Sequence, residues 1–176
     1  MSGHNKFSKI KHLKAKNDAQ KSKSFGKLVR LITVEAKKAH GNLTSPGLAA
    51  AIEKARKDNM PNDTIDRAVK KALTDNSAAM ENIVYESYGP GGIAILIEVL
   101  TDNRNKAAQE IKHILATHEL ALAAPGSASW AFTKTNNQWQ PTTTMSLEEA
   151  DIEKLSQIVE DLENNEEVQE VFTNAE

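Results

Sequence analysis

The chain contains no cysteine. That removes disulfides, thiolate nucleophiles and thiolate metal sites together, and nothing then calls for an oxidising compartment. Long hydrophobic runs are missing too. The longest, residues 93–99, is interrupted by Glu98 and is far shorter than the roughly 20 residues a membrane helix needs. The N-terminus is positively charged but lacks the apolar segment of a secretory signal. Lysine-rich and nearly arginine-free, it is also a poor organellar transit peptide. These absences predict a cytoplasmic protein that does not engage membranes.

Acids are scarce at one end of the chain and bases at the other. Residues 1–38 carry eleven Lys/Arg against Asp18 and Glu35, a local net charge of +9. Residues 1–72 hold seventeen basic and six acidic side chains, whereas residues 73–176 hold five and eighteen. The formal total of −2 conceals a basic module suited to polyanions and an acidic module with another task.

Residues 1–15 alternate small, basic and apolar side chains without a helical period, which predicts a basic arm. From about residue 16, Phe25, Leu28, Val29, Ile32 and Ala36 form one apolar stripe, with Lys23, Lys27, Arg30, Lys37 and Lys38 on the opposite side. Gly41 and Asn42 stop that helix. Pro46 suits the start of a second helix, with Leu48, Ala51, Ile52 and Ala55 inward. Pro61 suits the first turn of a third, carried by Ile65, Ala68, Val69, Ala72 and Leu73. Residues 16–75 are thus expected to form a three-helix basic domain. The polar residues 76–81 then make a linker to an acidic domain at 82–176.

Beyond the linker the period becomes two. Residues 83–88 read as a strand, 89–92 (Gly-Pro-Gly-Gly) as a tight turn, and 93–100 as a central strand apolar on both faces. A helix at 103–118 follows, then a strand at 127–133 with Trp130 as a core residue. Pro141 assigns a strand at 139–145 to an edge. Ser146 and Glu149 suggest a capping box for a helix carrying Ile152, Leu155, Ile158, Val159 and Leu162. Residues 167–173 close the sheet. The fold class is α+β: a three-helix domain followed by a ββαββαβ ferredoxin-like sandwich with one extra leading strand.

Catalytic chemistry is hard to place in this chain. The histidines are scattered, and His113 and His118 are five apart rather than stacked on one helix face. The glycine-rich loop joins two strands, so no helix N-terminus faces a phosphate there. Neither an enzyme, a cofactor nor a metal is expected. Asp102, Asn103, Arg104 and Asn105 could grip a phosphate or merely cap a helix. The second and third helices invite a helix-turn-helix reading, but Asp63 and Asp66 would face the DNA groove and are better matched to the helix dipole. Arg67, Lys70 and Lys71 remain as peripheral phosphate contacts. The expected nucleic-acid-binding residues are Lys6, Lys9, Lys11, His12, Lys14, Lys16, Lys21, Lys23, Lys27, Arg30, Lys37, Lys38 and Arg104.

Several long stretches occur in a telling order: residues 1–37, NMPNDTIDRAVKKA at 59–72, YESYGPGGIAILIEVLTDNRNKAA at 85–108, PGSASWAF at 125–132 and the closing run at 153–174. Together they resemble the YebC/PmpR family. The resemblance implies a bacterial, cytoplasmic, non-catalytic protein with a helical N-terminal domain and α+β domains behind it. Such proteins are described as DNA-binding transcriptional regulators and as translational activators that act on the ribosome and relieve stalling. By position, the family's basic N-terminal surface maps onto residues 6–38 and its TDNRN stretch onto 101–105. Family members usually insert a further α+β domain after the strand ending near Phe132. Here only residues 133–140 make that connection, so a short member lacking the insert is expected.

The leading functional expectation is a non-enzymatic regulator that docks on ribosomal RNA through lysine density rather than base reading. A DNA-binding transcriptional regulator is the alternative. A charge-driven protein-interaction module is the third.

Overall fold

The computed structural model describes residues 18–76, 79–136 and 138–176, with side chains of the first helix described from Lys23 onward. The expected arm at 1–15, with Lys6, Lys9, Lys11, His12 and Lys14, lies outside these residues, as do Lys16 and the Lys21 side chain. Two compact units emerge, residues 16–81 and 82–176.

The first unit is built from helices α1 (Asp18–Lys38), α2 (Pro46–Lys57) and α3 (Asn62–Thr74). Leu28, Ile32 and Ala36 of α1 bury one stripe against Leu48, Ala51 and Ala55 of α2 and Ile65, Ala68 and Ala72 of α3. So many alanines allow close helix approach, and the large side chains at the centre, Ile32 and Leu48, are fully enclosed. Helix α1 ends where Gly41, at φ +77°, donates its N–H to the Ala36 carbonyl at 2.9 Å, a left-handed stop that favours glycine. Leu73 departs from expectation. It is 55 % exposed rather than inward, because the turn of α3 that carries it points past the bundle, over Gly41.

The second unit has strands β1 (Glu81–Tyr88) and β2 (Ala94–Thr101), helix α4 (Arg104–Thr117), strands β3 (Phe132–Thr135) and β4 (Gln138–Pro141), helix α5 (Glu149–Asn164) and strand β5 (Val168–Thr173). The α+β class and the ββαββαβ order hold. The strands, however, divide into a three-stranded sheet, β1-β2-β5, and a separate β3-β4 ribbon. The reason lies in the turn at residues 89–93. Gly91 and Gly92 adopt φ of +67° and +80°, and the Gly89 N–H closes on the Ile93 carbonyl at 2.8 Å. The leading strand β1 is thereby laid directly beside β2. With antiparallel β5 on the other side, both edges of the central strand are taken, and the β3-β4 ribbon must pack on a face instead.

Strand β2 is apolar on both faces for that reason. Ile95, Ile97 and Val99 pack with Ala107, Ile111 and Leu115 of α4 and with Leu155, Ile158 and Leu162 of α5. Ala94 and Leu96 pack with Ala128, Ala131 and Phe132. Burying each of these large aliphatic side chains stabilises the fold by about 1.5–3 kcal/mol. The ribbon is also tied down by polar contacts. Trp139 Nε1–H donates to Glu98 at 3.0 Å, Lys134 Nζ lies 3.4 Å from the same carboxylate, and that ammonium sits 5.2 Å above the Trp139 ring. This cation offsets the like-charge pairing of Glu98 with Glu170 across β2 and β5.

Two local expectations are corrected here. Residues 127–133 are not a strand throughout: Ser129–Ala131 form a 3-10 turn, and Trp130 is 62 % exposed. The cause is Glu86, a buried β1 residue whose carboxylate accepts N–H groups from Gly126 and Ala128, both at 2.7 Å, and Ser129 at 2.9 Å. The segment wraps around a charge instead of pairing as a ladder. The Ser146–Glu149 capping box does not form either. Glu148 occupies the N-cap position without a side-chain cap, while the Ser146 hydroxyl donates to the Glu176 carboxylate at 2.7 Å.

Candidate nucleic-acid interface

Two faces of α1 carry different chemistry. The core stripe has been described. A second stripe, turned away from it, runs through Gly26, Val29, Arg30, Thr33, Val34, Lys37 and Lys38. Together with Lys71 and Asp75 from the end of α3 and with Ala79 and Met80 beyond it, this stripe encloses a groove of about 290 Å³. Residues at spacings of three and four share a helix face, so the groove follows the α1 axis for more than three turns.

The floor and the rim differ in character. Val34 is buried and Val29 and Met80 are half-buried, giving an apolar floor. Arg30, Lys37, Lys38 and Lys71 provide four cations around it, against one carboxylate, Asp75. Lys38 Nζ lies 2.9 Å from Glu35, an exposed pair of small energetic weight. Its carboxylate has a second task. Helix α2 has no acid in its first turn, and Glu35 fills the space that a side chain on Gly47 would need. A negative charge is thus delivered to the positive end of the α2 dipole.

Of the cations named from sequence, Arg30, Lys37 and Lys38 line the groove, whereas Lys23 and Lys27 lie on α1 outside its lining. Arg104 belongs to the second unit, exposed at the start of α4. There Asn103 acts as the N-cap, its side chain accepting the Lys106 N–H at 3.1 Å, while Thr101 Oγ1 accepts the Asn103 N–H at 2.9 Å. The neighbouring Lys106 ammonium lies 3.4 Å from Glu167 and 3.6 Å from Glu110. Its hydrogen bond to Glu167 and the charges of both acids raise its pKa above the ordinary lysine value. Sequence reasoning missed Lys71 as a partner of α1, and it missed the apolar floor altogether. The available signal was Val34, an aliphatic residue off the core stripe.

Among the described residues no group of three or more His, Asp or Glu side chains is placed to hold a metal ion. His118 instead meets Asp161 at 2.8 Å. No helix among the described residues is long and apolar enough to cross a membrane.

Comparison with known proteins bears on both units. Residues 5–75 match the family described as the TACO1/YebC protein N-terminal domain. Residues 80–137 and 133–175 match the TACO1/YebC second and third domain. A "Probable transcriptional regulatory protein" of Fervidobacterium nodosum is 50 % identical over 134 residues, covering 75 % of this chain and 53 % of that protein. One from Petrotoga mobilis is 41 % identical over 181 residues, covering 98 % and 70 %. Against the Fervidobacterium and Thermotoga relatives the chain spans about half their length, 53 %. The crystal structure of Aq1575, a conserved hypothetical protein from Aquifex aeolicus, superposes with a TM-score of 0.81 at 29 % identity, covering 95 % of each chain.

Proposed function

The chain belongs to the TACO1/YebC family, and from that premise we propose that it is a non-enzymatic, nucleic-acid-binding regulator of gene expression whose first unit docks on structured RNA, the ribosome's above all. Relatives carrying the name of transcriptional regulators support the regulatory half of this reading. The observation that carries the binding half is the α1 face, on which Lys23, Lys27, Arg30, Lys37 and Lys38 follow one another over little more than four turns, joined by Lys71 of α3 at the groove. Ammonium and guanidinium groups at that density displace condensed counterions from a phosphate backbone, and binding of this kind needs no base-reading helix. Lys6, Lys9, Lys11, His12, Lys14, Lys16 and Lys21 extend the same charge along the sequence, and Arg104 is a separate contact from the second unit. The acidic unit supplies shape and protein contacts.

A second reading, duplex DNA as the target, is favoured by the relatives' name as transcriptional regulators. Titrating a structured ribosomal RNA fragment and a random DNA duplex against the protein at 50 and 200 mM salt tests both. With about six phosphates contacted, affinity should fall on the order of a thousandfold across that range. A flat salt response refutes the proposal, and tighter binding to the DNA duplex than to the RNA transfers it to DNA. Replacing Lys23, Lys27 and Arg30 together with glutamate should reduce binding more than a hundredfold, and because Lys27 and Arg30 are half-buried and all three make contacts within the protein, the melting temperature of the variant is measured alongside to separate lost binding from lost folding.

A further inference from the structure

Gly26 sits inside α1, where glycine costs stability relative to alanine. Neither of the usual reasons for a helical glycine applies. Its φ is not in the left-handed region, and a Cβ built on it meets nothing within 4 Å. Gly47 is the contrast within the same unit, because there the space is filled by Glu35. Gly26 is exposed and is one of the residues that line the groove. Gly26 leaves this part of the groove free of side-chain atoms, and only a side chain larger than alanine's methyl would intrude on it.

We propose that the groove accepts one unstacked nucleotide of a single-stranded segment, its base against Val29, Val34 and Met80 and its flanking phosphates on Arg30, Lys37 and Lys71. The inference rests on the nucleic-acid reading above and adds a substrate class to it, a looped-out or single-stranded base rather than uniform duplex. Phosphate alone does not account for the apolar floor, because a purely ionic site gains nothing from Val34 and Met80. A purely apolar ligand would not match the charge of the rim, where one arginine and three lysines stand against one aspartate. The volume of about 290 Å³ lies at the small end of the roughly 300–1,000 Å³ found for small-molecule sites, which suits one unit of a chain. Contact between the face of a base and an aliphatic floor is sequence-tolerant, because every base has such a face, in keeping with a lysine-dominated rim.

The test compares a fluorescent single-stranded RNA oligonucleotide with a counterpart of equal length and charge in which the internal riboses are abasic. The full chain should bind the intact strand roughly tenfold more tightly, from burying the apolar face of one base on the aliphatic floor. Gly26→Leu, which fills the groove, should abolish that preference while keeping the salt dependence. Gly26→Ala should melt higher than the parent and retain most of the preference. Should Gly26→Leu fail to fold, the Met80 methyl resonance of the unaltered protein carries the test, shifting with the intact strand and not with the abasic one. Equal binding of both strands with a steep salt slope overturns the groove assignment and leaves the nucleic-acid reading standing. Binding of neither strand, with structured RNA and duplex DNA also unbound, overturns both. Displacement of the intact strand by an acidic peptide that itself shifts Met80 overturns the assignment in favour of protein.

Discussion

Replacing Glu86 with glutamine should test how a single buried charge organises the surface of the second unit. The carboxylate is 7 % exposed. One oxygen accepts from Gly126 and the other from Ala128 and Ser129. Glutamine keeps one acceptor and turns the second position into an NH2 group facing an N–H donor. In the better orientation the Gly126 bond is lost and its donor is left confronting another donor. Hydrogen bonds to a charged group contribute about 1.5–3 kcal/mol, and an unsatisfied buried donor costs a similar amount. A loss of about 2–4 kcal/mol at neutral pH is expected. The pH dependence sharpens the test. Burial pushes the Glu86 carboxyl upward, but the three backbone donors and the Ser129 side chain outweigh it, leaving its pKa below the ordinary 4.5. A depressed folded pKa means that this stabilisation is complete above about pH 4.5 and drains away as pH falls through the lower folded value. Urea unfolding of the parent and of Glu86→Gln should therefore differ most at pH 7 and converge in acid. Amide exchange at Gly126, Ala128 and Ser129 should accelerate in the variant while β2 amides stay protected against local opening. Parallel stability curves from pH 3 to 7, or unchanged exchange at those three amides, would refute the reasoning.

Gly47→Ala should leave the first unit within about 1 kcal/mol of the parent in thermal unfolding, because alanine's helix preference of up to about 1 kcal/mol is offset by the new methyl moving the Glu35 carboxylate off the α2 N-terminus, and a loss above about 2 kcal/mol would show that Glu35 is held rigidly there. A stabilised variant would mean that Glu35 moves aside freely. Trp139→Phe removes the indole donor from Glu98 and should cost about 1–2 kcal/mol, read as faster amide exchange confined to Thr133, Thr135 and Gln140 of the ribbon. Global acceleration would show that the ribbon and sheet open as one.

Local chemistry made much of this fold legible. Gly41 ends α1, Pro46 begins α2, and the apolar run of β2, interrupted only by Glu98, signals a strand covered on both faces. What sequence could not supply were contacts between distant residues. The partners of Glu86 lie about forty residues away, and a strand reading of residues 127–133 was reasonable until that carboxylate claimed their N–H groups. The paired edges of β2 likewise depend on where β1 folds back, which hydrophobic alternation does not encode. In the candidate site, charge density pointed to the α1 cations by composition. Which of them border an apolar floor depends on how the end of α3 and residues 79–80 lie against α1, and no spacing within α1 specifies that.

The self-contained β3-β4 ribbon has a consequence for how such chains change length. Its four-residue strands satisfy one another from Phe132↔Pro141 to Thr135↔Gln138, and the two stretches matching the family's second and third domain meet at residues 133–137, on this same element. Extra sequence entering at its tip would leave the hydrogen-bond ladder of the main sheet intact, and sequence removed there would expose no raw edge. The ribbon is an expansion joint, a place where chain length can change without disturbing the hydrogen bonds of the main sheet.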